Sequence, residues 1–193
     1  MARPRSATAL RWATPRRRKI VRKLRYYGDP ALRKACRPVE EFGPWLKELA
    51  ADMLHVCREA DGLGLAAPQV GETVRMVIID LYPLDPGMET LYLCNPEILE
   101  TRGEQIGSEG CLSFPGIFED VPRPDWVRYR YQDLDGVERT SEAKGLIARA
   151  ICHEIDHLNG VLLVDNISLV RRQFLRSELK KIQRGEIDAP KRT

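Results

Sequence analysis

The stretch ICHEIDHLNG, residues 151–160, decides how this chain is read. It holds His153 and His157, two of the three histidines, with Glu154 directly after the first. Four residues is about one helical turn, so both imidazoles fall on one face and can share an ion. The surrounding pattern predicts a helix from about Lys144 to Asn159. Leu146, Ile147, Ala150, Ile151 and Leu158 make it largely buried, and Gly160 provides the C′ stop. H-E-x-x-H on a helix is the pattern of a metal hydrolase, with the glutamate as general base. The plain alternative is two surface histidines on an ordinary helix. Against it, a buried His–Glu–His cluster without an ion leaves several polar groups unsatisfied.

Two imidazoles do not complete a tetrahedral site. A zincin-type peptidase takes its third ligand downstream, where the candidates are Asp165, Glu178, Glu186 and Asp188. None of them stands in a suitable pattern. Upstream lies SEGCLSFPG, residues 108–116. There Cys111 follows Gly110 and precedes Ser113 and Pro115, which reads as a turn presenting one thiolate. A free cysteine alone is usually a small buried hydrophobe, so Cys111 becomes a ligand candidate only in combination with the histidines. One thiolate and two imidazoles suit Zn²⁺ or Fe²⁺ and leave a fourth position for water.

The 193 residues are enough for one good-sized domain, and 43% hydrophobic content can fill a core. The longest strictly apolar runs, MVII and VLLV, are far short of a membrane span. No secretory h-region follows the start. The five cysteines, Cys36, Cys57, Cys94, Cys111 and Cys152, are odd in number, widely spaced and lack a CxxC. That argues against a disulfide framework and for a reducing compartment.

The net charge of +3 hides an asymmetry: residues 1–28 hold ten Arg or Lys and no acid, and residues 167–193 are also net basic. The stretch between them is acidic. Basic ends are either solvated tails or contacts for a polyanion such as RNA. Residues 1–18 show no period and read as a disordered basic extension. Residues 19–167 read as the catalytic domain, and 168–193 as a basic C-terminal helix and tail. LVRRQFLRSELKKIQRGEI, residues 169–187, places Leu169, Phe174, Leu175 and Leu179 on or near one side.

Other elements are coarser. A helix is predicted from Pro44 to the Asp61-Gly62 stop, with Leu46, Leu49, Met53, Val56 and Ala60 on one face. His55 on this helix has no metal partner at matching spacing and reads as structural. VRMVIIDL (74–81) is a buried strand, and LYLCNPEILE (91–100) is extended but interrupted at Pro96. WVRYRYQDLDG (126–136) alternates and ends in a hairpin turn. Strands followed by helices predict an α+β fold. DGLGLAAPQVG (61–71) reads as a helix stop and a Gly-rich turn that lets backbone approach a ligand, with Gln69 as an uncharged donor.

With GLGLAAPQ at 62–69, EGCLS at 109–113 and HEIDH at 153–157 in that order, the sequence resembles the peptide deformylases. The resemblance extends from about residue 20 to 165. It implies small antiparallel sheets around a central metal-binding helix. It implies Cys111, His153 and His157 as metal ligands, Glu154 as catalytic acid/base, and Gln69 with the Leu112 N–H as oxyanion donors. Gly64 would hydrogen-bond the formamide end of the substrate, with Leu63, Glu109 and Leu112 completing the substrate contacts. The cofactor implied is one divalent ion per chain, Fe²⁺ in the cell, with Zn²⁺ or Ni²⁺ as substitutes. The partner implied is a nascent polypeptide beginning with N-formylmethionine, from which formate is released. Transient ribosome contact through the basic ends fits that substrate, whereas membrane and DNA partners are not expected. The family usually has Gln before the first metal histidine, and here Cys152 stands in its place.

The expected location is the bacterial cytoplasm, although the Arg-rich, acid-free start also fits an organelle transit peptide. Two other readings stay open at this point: a zincin-like metallo-endopeptidase, and a ribosome-binding module without catalysis. Asp156 reads as a supporting or surface carboxylate rather than a catalytic one.

Overall fold

The computed structural model describes residues 22–186, so the reading of residues 1–18 lies outside the described residues. Among the described residues, seven strands form two sheets. The larger has the order β1-β2-β3-β6-β7, built from β1 (Gly64–Ala66), β2 (Met76–Ile79), β3 (Leu91–Arg102), β6 (Trp126–Gln132) and β7 (Glu138–Lys144). The smaller is a two-stranded ribbon of β4 (Gln105–Gly110) and β5 (Phe118–Arg123). Each pair of these strands is antiparallel. Helices α1 (Pro44–Glu59) and α2 (Gly145–Leu158) pack on the larger sheet, and α3 (Leu169–Phe174) and α4 (Arg176–Gln183) follow. This is the α+β arrangement expected from the sequence.

Helix α2 is positioned by its apolar stripe. Ala148, Ile151, Ile155 and Leu158 repeat at helical spacing and bury against Val77, Ile79, Leu93, Val127 and Tyr129 of the sheet. Burying each isoleucine or leucine of this stripe contributes roughly 1.5–3 kcal/mol. A second row, Arg149, His153 and His157, runs along the helix at four-residue spacing and is buried as well. The helix ends where Gly160 takes a positive φ of 73°. A Cβ at Gly160 would stand 2.7 Å from the Arg33 carbonyl, so glycine is required there on both counts.

Three local readings need correction. Strand β3 is not interrupted at Pro96. The ladder with β6 instead shifts register between Cys94 and Glu97, and that irregularity accommodates a residue with no N–H. Asn95, at φ 51°, ties the bulge down by bonding Val39 and Gln132. The predicted turn at 61–71 contains β1, which pairs with β2, followed by a 3-10 turn, Ala67–Val70. The single C-terminal helix is two helices meeting at Leu175. Its apolar side is split accordingly. Leu179 and Ile182 bury among Leu32, Phe114 and Leu163, whereas Leu169, Val170 and Phe174 are exposed.

Candidate metal centre

Sequence-distant elements bring Cys111, His153 and His157 together. The first follows β4 directly, and the other two sit one turn apart on α2. Their ligand atoms all lie within 4.8 Å of one another, and all three residues are buried. Cys111 Sγ stands 3.2 Å from His157 Nε2, and the two imidazoles meet edge to face with centroids 5.1 Å apart. Cys111 also opens the turn that reverses the ribbon: its carbonyl accepts from Phe114 N–H at 2.8 Å. The turn predicted around this cysteine therefore exists, with β4 leading into it.

The donor set fits a divalent cation. The Nδ1 of His153 is engaged by Glu109 Oε2 at 2.9 Å, which leaves Nε2 for an ion. His157 is fully buried, and burial together with the neighbouring His153 holds its pKa well below the usual histidine range. A neutral imidazole is the form that ligates metal. Burial opposes a charge on His153, but the Cys111 thiol and the Glu109 carboxylate outweigh it and raise that group. One soft thiolate beside two imidazoles is a set for Zn²⁺ or Fe²⁺ rather than for Mg²⁺ or Ca²⁺.

Glu154 faces the same space. Burial pushes its carboxyl up to about 7, and its Oε2 has no hydrogen-bond partner among the described residues. It rests against Gly64, where an added Cβ would come within 2.6 Å of Glu154 Oε1. Gln69 is fixed by Ala66 N–H, which donates to Oε1 at 2.8 Å. That bond turns its Nε2 toward Ser113 Oγ at 3.2 Å and Cys111 Sγ at 3.6 Å. The Leu112 N–H has no backbone partner among the described residues. Leu63, Gly64, Gln69, Leu112 and Glu154 all line one cavity of about 770 Å³, within the usual range for ligand pockets.

Glu109 lies differently from a residue that meets substrate through its side chain. Its carboxylate is buried and takes bonds from Arg123 Nε at 2.8 Å, Arg149 Nη1 at 2.9 Å and His153. Burial pushes its carboxyl up, yet the bonds from His153 and Arg123 prevail and hold it at about 2. Glu109 also lines the cavity, but its carboxylate is engaged by these bonds. Asp156, read as a supporting carboxylate, accepts from Arg123 Nη1 at 2.7 Å and from Asn166. Arg123 and Arg149 were not anticipated. Arg149 could have been found, because it stands four residues before His153 on the same helical row. His55 is exposed on the cavity rim, and it is not among the candidate metal-ligand group.

The downstream ligand candidates are occupied or distant. Asp165 binds Arg33, Arg172 and the Leu162 N–H, and Glu178 is exposed beside Ser177. Asp188 lies outside the described residues.

The sequence model of the polypeptide deformylase family matches residues 21–173. The chain belongs to that family. It is a hydrolase that removes the N-terminal formyl group from newly made polypeptides. A peptide deformylase of Clostridium botulinum is 50% identical over 145 residues, covering 75% of this chain and 95% of that protein. The Thermus thermophilus peptide deformylase structure is 41% identical with a TM-score of 0.80, covering 86% of this chain and 100% of that one. A peptide deformylase from Synechococcus elongatus, solved in complex with actinonin, is 40% identical with a TM-score of 0.75, covering 86% and 87%. Neither the endopeptidase reading nor the non-catalytic one is favoured beside these deformylases. No helix among the described residues is long and apolar enough to cross a membrane.

Proposed function

We propose that Cys111, His153 and His157 hold one divalent ion, Fe²⁺ in the cell with Zn²⁺ or Ni²⁺ as substitutes, and that the groups around it hydrolyse the formamide of N-formylmethionyl polypeptides. The observation that carries this reading is the convergence of the three ligand atoms beside the buried carboxyl of Glu154. When bound, the ion supplies Lewis acidity and brings a coordinated water toward neutral pKa.

The chain's own groups do the rest. The missing side chain of Gly64 lets the formamide end of the substrate come close to Glu154. Leu63 and the backbone of Glu109 and Leu112 flank the extended chain, and the apolar cavity wall of Val56, Phe118 and Leu146 receives the methionine side chain. Gln69 Nε2 and the Leu112 N–H donate to the oxyanion as the formyl carbon becomes tetrahedral. One such donor is typically worth about 3 kcal/mol. Glu154 accepts the water's proton, with Oε2 as the unpartnered atom, and delivers it to the amine nitrogen as the C–N bond breaks. Formate and a free N-terminal methionine result.

The enzyme acts in the bacterial cytoplasm, where nascent chains carry formylmethionine. The exposed Arg171, Arg176, Lys180 and Lys181 of α3 and α4 provide a transient ribosome contact. Formate release from formyl-Met-Ala-Ser by anaerobically Fe²⁺-loaded protein tests the reaction. Formate should appear in step with free amine, and acetyl-Met-Ala-Ser should remain intact. Cleavage at internal peptide bonds without formate would contradict the proposal.

A further inference from the structure

Four groups on the β4–β5 ribbon converge on one side chain of α2. Arg149 Nη1 donates to the Gly107 carbonyl at 3.0 Å, the Val121 carbonyl at 2.8 Å and Glu109 Oε1 at 2.9 Å. Its Nη2 reaches the Gln105 carbonyl at 3.3 Å. The guanidinium lies where Gly107 pairs with Val121 in the ribbon ladder. Gly107 leaves room for it, since a Cβ there would stand 3.3 Å from Nη2 and 3.6 Å from Cζ. Arg149 is 5% exposed, so these bonds form away from bulk water.

The ribbon needs such an anchor. Among the described residues it pairs with no strand of the larger sheet, and a two-stranded ribbon is marginal by itself. Its inward side is poor in apolar groups, because Glu109, Glu119 and Arg123 occupy buried positions that aliphatic residues would otherwise fill. Yet β4 ends one residue before Cys111, and that cysteine must meet two histidines carried by α2. The gap between thiolate and imidazoles is thus set by how the ribbon sits on the helix. Arg149 is on the same helical row as His153 and His157 and spans both strands.

We propose that Arg149 is a positioning residue for the hydrolysis: it fixes the ribbon to the metal-bearing helix, and so sets the Cys111-to-histidine geometry and the width of the adjoining cleft. This rests on the deformylase reading given above. The bonds of Arg149 run to the ribbon and not to Cys111, His153 or His157. Glu109 bonds Arg123 and Arg149 as well as His153, whereas Arg149 also bonds backbone carbonyls of both ribbon strands and so ties them to the helix.

The test uses the full chain with Arg149→Met, which keeps the stem and removes every donor, and Arg149→Lys, which keeps one donor head. Gly107→Ala crowds the same guanidinium from the other side. Three quantities are read on folded protein: Co²⁺ affinity by chelator competition, the thiolate-to-Co²⁺ absorption band, and kcat and KM for formyl-Met-Ala-Ser. Arg149→Met should bind Co²⁺ at least tenfold more weakly, shift or weaken the thiolate band, and lower kcat at least tenfold. Arg149→Lys should recover part of each, and Gly107→Ala should shift the band in the same direction. A role confined to stability would lower Tm and leave affinity, band and kcat per metal-loaded chain unchanged, which would overturn the proposal. If Arg149→Met does not fold, Arg149→Lys and Gly107→Ala carry the same test. Co²⁺ affinity and the band need no turnover, so failure of wild-type protein to release formate would count against the deformylase reading alone.

Discussion

Helix α2 and the β4–β5 ribbon both deliver candidate metal ligands, but opposite physics holds them in place. The helix is fixed by an aliphatic stripe against the larger sheet. The ribbon is fixed by a buried charge network, with Glu109 shared among Arg123, Arg149 and His153, and Arg123 continuing to Asp156. Apolar packing is insensitive to pH and tolerates small shifts. A buried network holds distances tightly and fails when one member is lost. One partner of this candidate metal site is thus a robust platform, and the other is an electrostatically set arm.

The largest expected effect separates the chemistry from both supports. Glu154→Ala removes the proposed proton carrier and no candidate ligand, so turnover should fall on the order of 10³-fold while one metal ion per chain is retained. Metal analysis beside formate release checks this, and near-normal turnover in the metal-loaded variant would rule out the role. Next comes the arm. Glu109→Leu leaves Arg123 and Arg149 buried without their shared carboxylate. It should cost roughly 3–5 kcal/mol and release the orientation of His153. Urea unfolding and metal affinity should both change.

The platform should behave otherwise. Ile151 is fully buried, and Ile151→Ala should cost roughly 2–5 kcal/mol in urea unfolding. Its kcat per folded, metal-loaded chain should stay close to wild type, since the imidazole row is on another side of the helix. A large fall in kcat with little loss of stability would break the contrast.

Acid distinguishes the two supports with a smaller effect. Glu109 is held at about 2 against an ordinary value of 4.5. A depressed carboxyl contributes stability that is complete above its unfolded value and is lost as pH falls through the folded one. Wild-type protein should therefore lose up to about 3 kcal/mol between pH 4.5 and 2 from this group, and Glu109→Leu should show a flatter profile over that window. Identical acid profiles for the two proteins would show that the carboxylate does not hold the ribbon.

The same contrast explains what could be read from the sequence. Helix α2 announced itself because its apolar residues recur at helical spacing and end at Gly160. The grouping of the candidate trio was legible because residue type and motif order constrain chemistry more tightly than any single spacing. Strand β5 was missed because FEDVPR points Glu119 and Arg123 inward beside Val121, so no apolar alternation marks it. The break at Leu175 was missed because the helical pattern continues through it, and which side docks depends on tertiary contacts from Leu32 and Phe114.

Metal content of the Cys111→Ala variant tests the central claim most directly. Three side chains, two from the helix and one from the end of the ribbon, are held to form a single ion site. Purified, folded Cys111→Ala protein, equilibrated with stoichiometric Fe²⁺ or Zn²⁺ and desalted, should retain well under one ion per chain, because two imidazoles one turn apart hold a divalent ion far more weakly than three ligands do. Retention of a full ion per chain would contradict the account and send the search for a third ligand elsewhere in the fold.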